Sequence, residues 1–208
     1  MSAKPRIAVF VSGGGRSLEN LSEKIREGAL ECEIALVLSN SAQAFALERA
    51  RKLGIPSVVV DPTKRLAPAE FSRDAFAAAE SFGAELVVLA GFLRLLVIPD
   101  AWLGRVINIH PSLLPAFGGK GFYGHRVHEA ALEKGVQFTG CTVHYVTNEY
   151  DAGPILLQLA IPVHDEDDAD SLAARVFEEE KIALPEAIRM HFADEERARR
   201  ASASIRRP

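Results

Sequence analysis

R-I-A-V-F-V-S-G-G-G-R-S, residues 6–17, runs an apolar segment into three glycines and then into a helical pattern that lasts to about Gly28. An apolar run without alternation is a strand buried on both faces, and a glycine turn leading into an amphipathic helix opens a βα unit. The theme recurs. Residues 34–39 (I-A-L-V-L-S) form a second strand, followed by a helix over 43–53 that Gly54 closes. S-V-V-V at 57–60 precedes a helix over 69–82 closed by Gly83. E-L-V-V-L-A at 85–90 and residues 105–110 supply strands four and five. Glycine just past each helix is the expected stop signal. Strands and helices alternating in this way predict an α/β chain with a mostly parallel sheet and helices on both faces.

After residue 111 the pattern changes. A Gly- and Pro-rich loop spans 111–124 and a helix follows over about 125–134. Residues 138–147 and 154–163 read as two longer strands joined by N-E-Y-D-A-G, a C-terminal antiparallel portion. A helix over about 170–190 closes the domain, and the acidic run at 165–170 suits its positive end. From Asp194 to Pro208 the chain is polar with little to bury, which predicts a flexible tail.

With 208 residues, 48% of them hydrophobic and 25% charged, the chain can bury a core, and global disorder is excluded. A net charge of −4 gives no sign of a nucleic-acid partner. Cys32 and Cys141 are far apart and outside any C-x-x-C, as expected of free thiols in a reducing compartment. No signal segment is expected before the first strand, and no apolar run reaches the ~18 residues of a membrane helix. A cytoplasmic protein that binds no membrane is the expectation.

Ser12-Gly13-Gly14-Gly15-Arg16-Ser17 sits where a helix N-terminus offers unpaired N–H groups and a positive dipole end to a phosphate. Leu18 breaks the dinucleotide pattern G-x-G-x-x-G, and the P-loop pattern is also absent. Taken alone, the loop reads equally well as a tight βα turn with Ser17 as the N-cap.

V-I-N-I-H-P-S-L-L-P, residues 106–115, is a strand that must end near His110, because Pro111 has no N–H for the ladder. Asn108 and His110 share one face and Ile107 and Ile109 the other. In open parallel sheets, ligands bind beyond the carboxyl ends of the strands. An amide there can donate to an oxygen that gains negative charge, and an imidazole can do the same or move a proton. Asp151, in the turn D-A-G-P, is a carboxylate that would favour the imidazolium if it came near, although nothing local in sequence brings it there.

S-G-G-G-R-S at 12–17, L-A-G-F-L-R-L-L at 89–96, N-I-H-P-S-L-L-P at 108–115 and D-A-G-P at 151–154 occur in an order and spacing that resembles the folate-dependent formyltransferase family, in its phosphoribosylglycinamide formyltransferase branch. The likeness covers about residues 6–190. It implies a Rossmann-like formyltransferase fold, with residues 1–193 as a single domain and 194–208 as the tail. It also implies transfer of formyl from the co-substrate 10-formyltetrahydrofolate to the amine of glycinamide ribonucleotide, in purine synthesis, by a monomer or weak homodimer. By resemblance, Asn108 and His110 stabilise the tetrahedral intermediate, with His110 as general acid, and Asp151 keeps His110 protonated. Gly15, Arg16 and Ser17 meet the ribonucleotide phosphate, and Glu180 also meets the ribonucleotide. Leu93, Arg94, Leu95 and Leu96, with Asn108, border the folate. The stretch 86–96 otherwise reads as a strand running into a short helix.

The chain departs from better-known members at the 116–124 loop, at Pro68, at Arg126 and at Arg16, where Ser is frequent. Lys120 and the glycines around it suit a flap over the substrate or a plain surface loop. His125 and His128 lack further ligands at metal spacing, so no metal is expected. His144 is placed either at the wall of the site or in packing. Formyltetrahydrofolate hydrolase, which shares the trio but is usually preceded by another domain, is the enzymatic rival. Methionyl-tRNA formyltransferase would need a C-terminal RNA-binding domain. A non-catalytic nucleotide-binding module explains the glycine loop but not the trio.

Overall fold

In the computed structural model, which describes residues 3–64 and 67–205, β1 (Arg6–Val11) leads into α1 (Arg16–Arg26) and β2 (Glu33–Ser39) into α2 (Phe45–Lys52). β3 (Ser57–Val59) leads into α3 (Pro68–Ser81), and β4 (Leu86–Leu89) into β5 (Val106–His110). α4 (His125–Glu133), β6 (Phe138–Tyr145), β7 (Ile155–Pro162), α5 (Ala169–Ala193) and α6 (Glu195–Ile205) follow. The seven strands form one sheet in the order β3-β2-β1-β4-β5-β6-β7. The first five run parallel, and β6 is antiparallel to both β5 and β7.

Alternation along β1 divides the core into two layers. Ile7, Val9 and Val11 pack with Leu18 and Leu21 of α1 and with Val176, Ala183, Leu184 and Ile188 of α5. Ala8 and Phe10 point the other way, towards Phe71, Ala75, Phe76 and Ala79 of α3 and towards Trp102. Burial of both faces explains why the strands read as unbroken apolar runs. Ile107 and Ile109 join the α5 layer, which leaves Asn108 and His110 on the opposite side as expected. α5 begins at a capping box in which the Asp168 carboxylate accepts from the Ser171 N–H at 2.8 Å. Cys32 and Cys141 are buried and unpaired, and burial pushes both thiols up to about 12.

Two segments differ from their sequence reading. No helix forms over 91–96. The backbone N–H groups of Leu93, Val97 and Ile98 are taken by side-chain oxygens of Ser12 (2.9 Å), Ser72 (2.8 Å) and Asn148 (2.8 Å). Those distant partners replace the helical carbonyls that would otherwise satisfy them. The second segment is the expected flexible tail, where residues Glu195–Ile205 are helical. Ala201 is buried and Ile205 packs beside it, one turn apart on a single apolar stripe against the α5 layer. Residues 206–208 lie outside the described residues. Among the described residues, no helix is long and apolar enough to cross a membrane.

Two buried histidines make this packing sensitive to pH. Burial holds His191 down at about 4, and the charge of Arg105 adds to the effect. Burial likewise holds His128 at about 4, with further lowering from His125 and His110. Both rings fold neutral, so stability is complete above their ordinary value of 6.5 and is lost as pH falls from there towards 4. Each ring should cost about 1.4 kcal/mol per pH unit across that window. Urea denaturation at pH 7.5, 5.5 and 4.5 is expected to show the fall, with a shallower slope in His191→Gln. An unchanged slope in that variant would contradict a ring held neutral by burial.

Candidate active site

The carboxyl ends of β1, β4 and β5 open on one cavity of about 640 Å³. It lies where the strand order reverses between β1 and β4, the crevice in which open α/β sheets hold their ligands. A larger groove of about 900 Å³ flanks α1 on its other side and contains neither Asn108, His110 nor Asp151.

One wall is the glycine loop. Gly15 is the N-cap of α1, in the left-handed region at φ 75°, where a side chain is strained. A Cβ there would lie 2.6 Å from the Ala46 Cβ, so α2 packs directly on the loop. α2 also fixes it through hydrogen bonds. The Ala46 N–H donates to the Gly13 carbonyl at 3.0 Å, and Arg49 Nε donates to the Gly14 carbonyl at 2.9 Å. The Ser12 N–H donates to the Gly91 carbonyl at 3.0 Å, and its Oγ accepts from the Leu93 N–H at 2.9 Å, which ties β1 to β4. Ser17 is not the cap. It sits inside the first turn, and no side chain caps α1, so its leading N–H groups remain available to an anion. Gly13, Gly14, Gly15, Arg16 and Ser17 all line the cavity.

The opposite wall is built by the antiparallel strands. Asn108 stands opposite His144, and His110 opposite Thr142. The Thr142 hydroxyl donates to the Ser112 carbonyl at 2.6 Å and accepts from the Leu114 N–H at 3.0 Å and from Gln158 at 2.9 Å. Gln158 also donates to the Leu114 carbonyl at 3.0 Å. These bonds lock the P-S-L-L-P loop onto β6 and β7. The turn from β6 to β7 then folds back over the strand ends. Gly153 permits that approach, because a Cβ there would lie 1.7 Å from the Tyr145 carbonyl oxygen. Asp151 sits in this turn with φ 53°, a left-handed conformation that Asp tolerates better than most residues.

The result is the contact that no local sequence signal foretold. Asp151 Oδ2 lies 3.6 Å from His110 Nδ1 and accepts from the Gly119 N–H at 2.9 Å. Asp151 Oδ1 is 3.5 Å from Asn108 Nδ2 and 3.7 Å from His144 Nε2. His144 Nδ1 lies 3.0 Å from its neighbour's carbonyl, the Tyr145 oxygen, and donates to it. His144 Nε2 then accepts from Asn108 Nδ2 at 3.1 Å. His144 thus belongs to the wall of the site. One Asn108 hydrogen is held firmly by His144, and the other reaches only weakly towards Asp151.

Electrostatics depart from the expectation of a standing imidazolium. Burial lowers the pKa of His110 below its ordinary 6.5. Asp151 and the Phe117 carbonyl, 2.8 Å from Nε2, raise it by less than burial takes away. The resting ring is therefore neutral near pH 7. For Asp151, burial pushes upward but is outweighed by the imidazoles of His144 and His110 and by the Gly119 N–H, so the carboxylate lies below its usual range. Glu180 also lines the cavity. Burial raises its carboxyl to about 7, against the opposing charge of Arg16.

The L-R-L-L stretch divides. Leu93 reaches the cavity. Leu96 is buried in the α3 layer, the Arg94 guanidinium lies 5.1 Å over the Phe71 ring, and Leu95 is half-buried without lining the cavity. The 116–124 loop forms a wall, with Gly119 through Gly124 on the cavity. The His125 and His128 rings meet edge to face, with centroids 6.5 Å apart. His125 faces Asp170 at 3.4 Å on the surface, and His128 is buried. The Phe117 carbonyl, the Gly119 N–H and the Phe177 ring escaped the sequence reading. Two are backbone groups that residue identity does not reveal, and Phe177 looked like an ordinary helix residue.

Comparison with known proteins matches residues 5–188 to the family model Formyl transferase. Phosphoribosylglycinamide formyltransferase, chloroplastic, of Arabidopsis thaliana is 40% identical over 184 residues, covering 85% of this chain and 62% of that protein. Trifunctional purine biosynthetic protein adenosine-3 of Gallus gallus is 41% identical over 189 residues, covering 90% of this chain and 18% of that protein. The chain thus spans less than two thirds of these curated relatives. The structure of glycinamide ribonucleotide transformylase 1 from Symbiobacterium toebii superposes with a TM-score of 0.84 at 40% identity, covering 91% of this chain and 88% of that one. A formyltetrahydrofolate deformylase from Pseudomonas syringae superposes at 0.79 with 29% identity, covering 93% of this chain and 63% of that one. With its Asn, His and Asp gathered at the mouth of a sheet of this topology, and with the family model spanning nearly its whole length, the chain belongs to the formyl transferase family.

Proposed function

We propose that the protein transfers the formyl group of 10-formyltetrahydrofolate to the amine of glycinamide ribonucleotide, releasing formylglycinamide ribonucleotide and tetrahydrofolate in purine synthesis. The observation that carries this reading is the convergence of Asn108, His110 and Asp151 within the cavity that the uncapped glycine loop also lines. A hydrolase delivering formyl to water needs no cradle for a sugar phosphate, and that favours the amine acceptor.

The amine attacks the formyl carbon, and its oxygen becomes an oxyanion. That oxygen draws the Asn108 hydrogen that otherwise reaches only 3.5 Å towards Asp151, while His144 keeps the amide oriented. Nε2 of His110 is committed to the Phe117 carbonyl, so Nδ1, facing Asp151, is the nitrogen free to exchange a proton. It takes the proton shed by the attacking amine, and the imidazolium is stabilised between Asp151 and the oxyanion. The same proton goes to N10 of the folate as the C–N bond breaks. Gly15, Arg16 and Ser17 take the phosphate and Glu180 meets the ribonucleotide. The segment Leu93, Arg94, Leu95 and Leu96 borders the pterin, with Leu93 nearest. The two free thiols fit a reducing compartment such as the cytoplasm.

Mixing the protein with 10-formyltetrahydrofolate, with and without glycinamide ribonucleotide, and following tetrahydrofolate release tests the proposal. Release only with the ribonucleotide is expected; equal release without it would turn the assignment to the hydrolase. Asn108→Ala and His110→Ala should each lower kcat by on the order of 100- to 1000-fold, and near-native turnover in either would remove that residue from the mechanism. Titration of the His110 ring by NMR should give a midpoint below 6.5. Because Asp151 raises that midpoint, Asp151→Asn should shift it further down; an upward shift would contradict the charge balance described.

A further inference from the structure

Arg16 leads α1, immediately after the left-handed Gly15. Its guanidinium carbon lies 3.7 Å from the centroid of the Phe177 ring, a face-on cation–π contact at van der Waals distance. Phe177 comes from α5, more than 150 residues away in sequence, and is half-buried beside the core residue Val176. Both partners line the active-site cavity, and both also line the larger groove on the far side of α1. Arg16 therefore stands on the ridge between the two spaces.

The groove side would attract it. Glu19 and Glu23 line the groove, and both already bind arginines: Glu19 pairs with Arg49, and Glu23 with Arg26 at 3.5 Å. Among the described residues, no carboxylate is ion-paired with Arg16. Its side chain is long and flexible, and the contact that fixes it is the aromatic face. Lys181, 6.0 Å from the same ring, is ion-paired with Glu178 and lines the groove alone. Glu180, one turn along α5 from Phe177, also lines the cavity; burial raises its carboxyl to about 7 and the charge of Arg16 opposes that rise, so it offsets the arginine only in part.

We propose that Phe177 is a positioning residue for the anionic substrate: its ring holds the Arg16 guanidinium on the cavity side, aimed at a phosphomonoester seated on the first turn of α1. The proposal deepens the formyl-transfer reading and rests on it for the identity of the substrate. The ring makes no demand on the formyl carbon, so its effect falls on capture of the phosphate and leaves chemistry at Asn108 and His110 alone. A guanidinium stacked in this way keeps its whole N–H edge for the anion, since the contact uses only its face.

The test compares Phe177→Leu, Phe177→Tyr, Arg16→Ala and Arg16→Ala with Phe177→Leu. Two readouts are used: steady-state kinetics with glycinamide ribonucleotide, and calorimetric binding of ribose 5-phosphate, which needs no turnover. Phe177→Leu should raise KM for the ribonucleotide and weaken ribose 5-phosphate by about 2- to 5-fold, the span implied by a cation–π contact whose arginine is exposed. Its kcat and its KM for the folate should stay within about twofold of the native values. Phe177→Tyr, which keeps the aromatic face, should behave as native, and Phe177→Leu should add nothing in the Arg16→Ala background. If Phe177→Leu does not fold, Phe177→Met carries the same comparison. Native binding in the leucine variant, tyrosine as poor as leucine, or an equal loss without Arg16 would each overturn the proposal. A native protein that binds ribose 5-phosphate but fails to formylate the ribonucleotide would instead overturn the substrate reading, and the binding arm would still decide the role of Phe177.

Discussion

The site depends on one change of direction. β5 is the last parallel strand, and β6 returns antiparallel beside it, which sets Asn108 against His144 and His110 against Thr142. Because β6 is antiparallel, its last residue, Tyr145, stands opposite Ile107, and the turn to β7 leaves from that side and folds back along the face that carries Asn108 and His110. That fold-back brings Tyr150 and Asp151 to the cavity lining. Gly153, at the closest approach to the Tyr145 carbonyl, is its steric condition.

Around this turn the polar groups divide into those that hold and those that act. Thr142, Gln158 and the Gly119 N–H make short, fully used hydrogen bonds that fix loops. Asn108 and His110 are each held by one firm bond, to His144 and to the Phe117 carbonyl, and keep a second position at 3.5–3.6 Å from Asp151. Those longer separations are where a reacting molecule can enter without breaking a strong interaction. A neutral imidazole beside a carboxylate is also able to accept a proton, whereas a standing imidazolium would have to lose one first.

Much of this was legible in the sequence, for physical reasons. Strands buried on both faces must be apolar throughout, so β1 to β5 read clearly, and the alternation of Asn108 and His110 against Ile107 and Ile109 follows from strand geometry alone. The irregular path from Gly91 to Pro99 was not legible, because Ser12, Ser72 and Asn148, remote in sequence, take its N–H groups. α6 was misread because the apolar stripe among its described side chains is short, carrying Ala201 and Ile205. The identities in the trio could be read, but not their meeting, which the hairpin makes. The charge of His110 was misjudged because burial, and not its partner's charge, sets the balance. Phe177 carried no signal, since an aromatic residue in a helix reads as core until its partner from another helix is seen.

The two cysteines extend the consequences of the double-layered core. Cys32 and Cys141 lie within it, protonated far beyond physiological pH, so in the closed molecule neither is a nucleophile. They become reactive only when the layers part. Alkylation of the native chain by a thiol reagent would therefore proceed at the frequency with which the sheet uncovers itself, and the protein carries two internal clocks, one just before β2 and one in β6, for how often the layer they share opens.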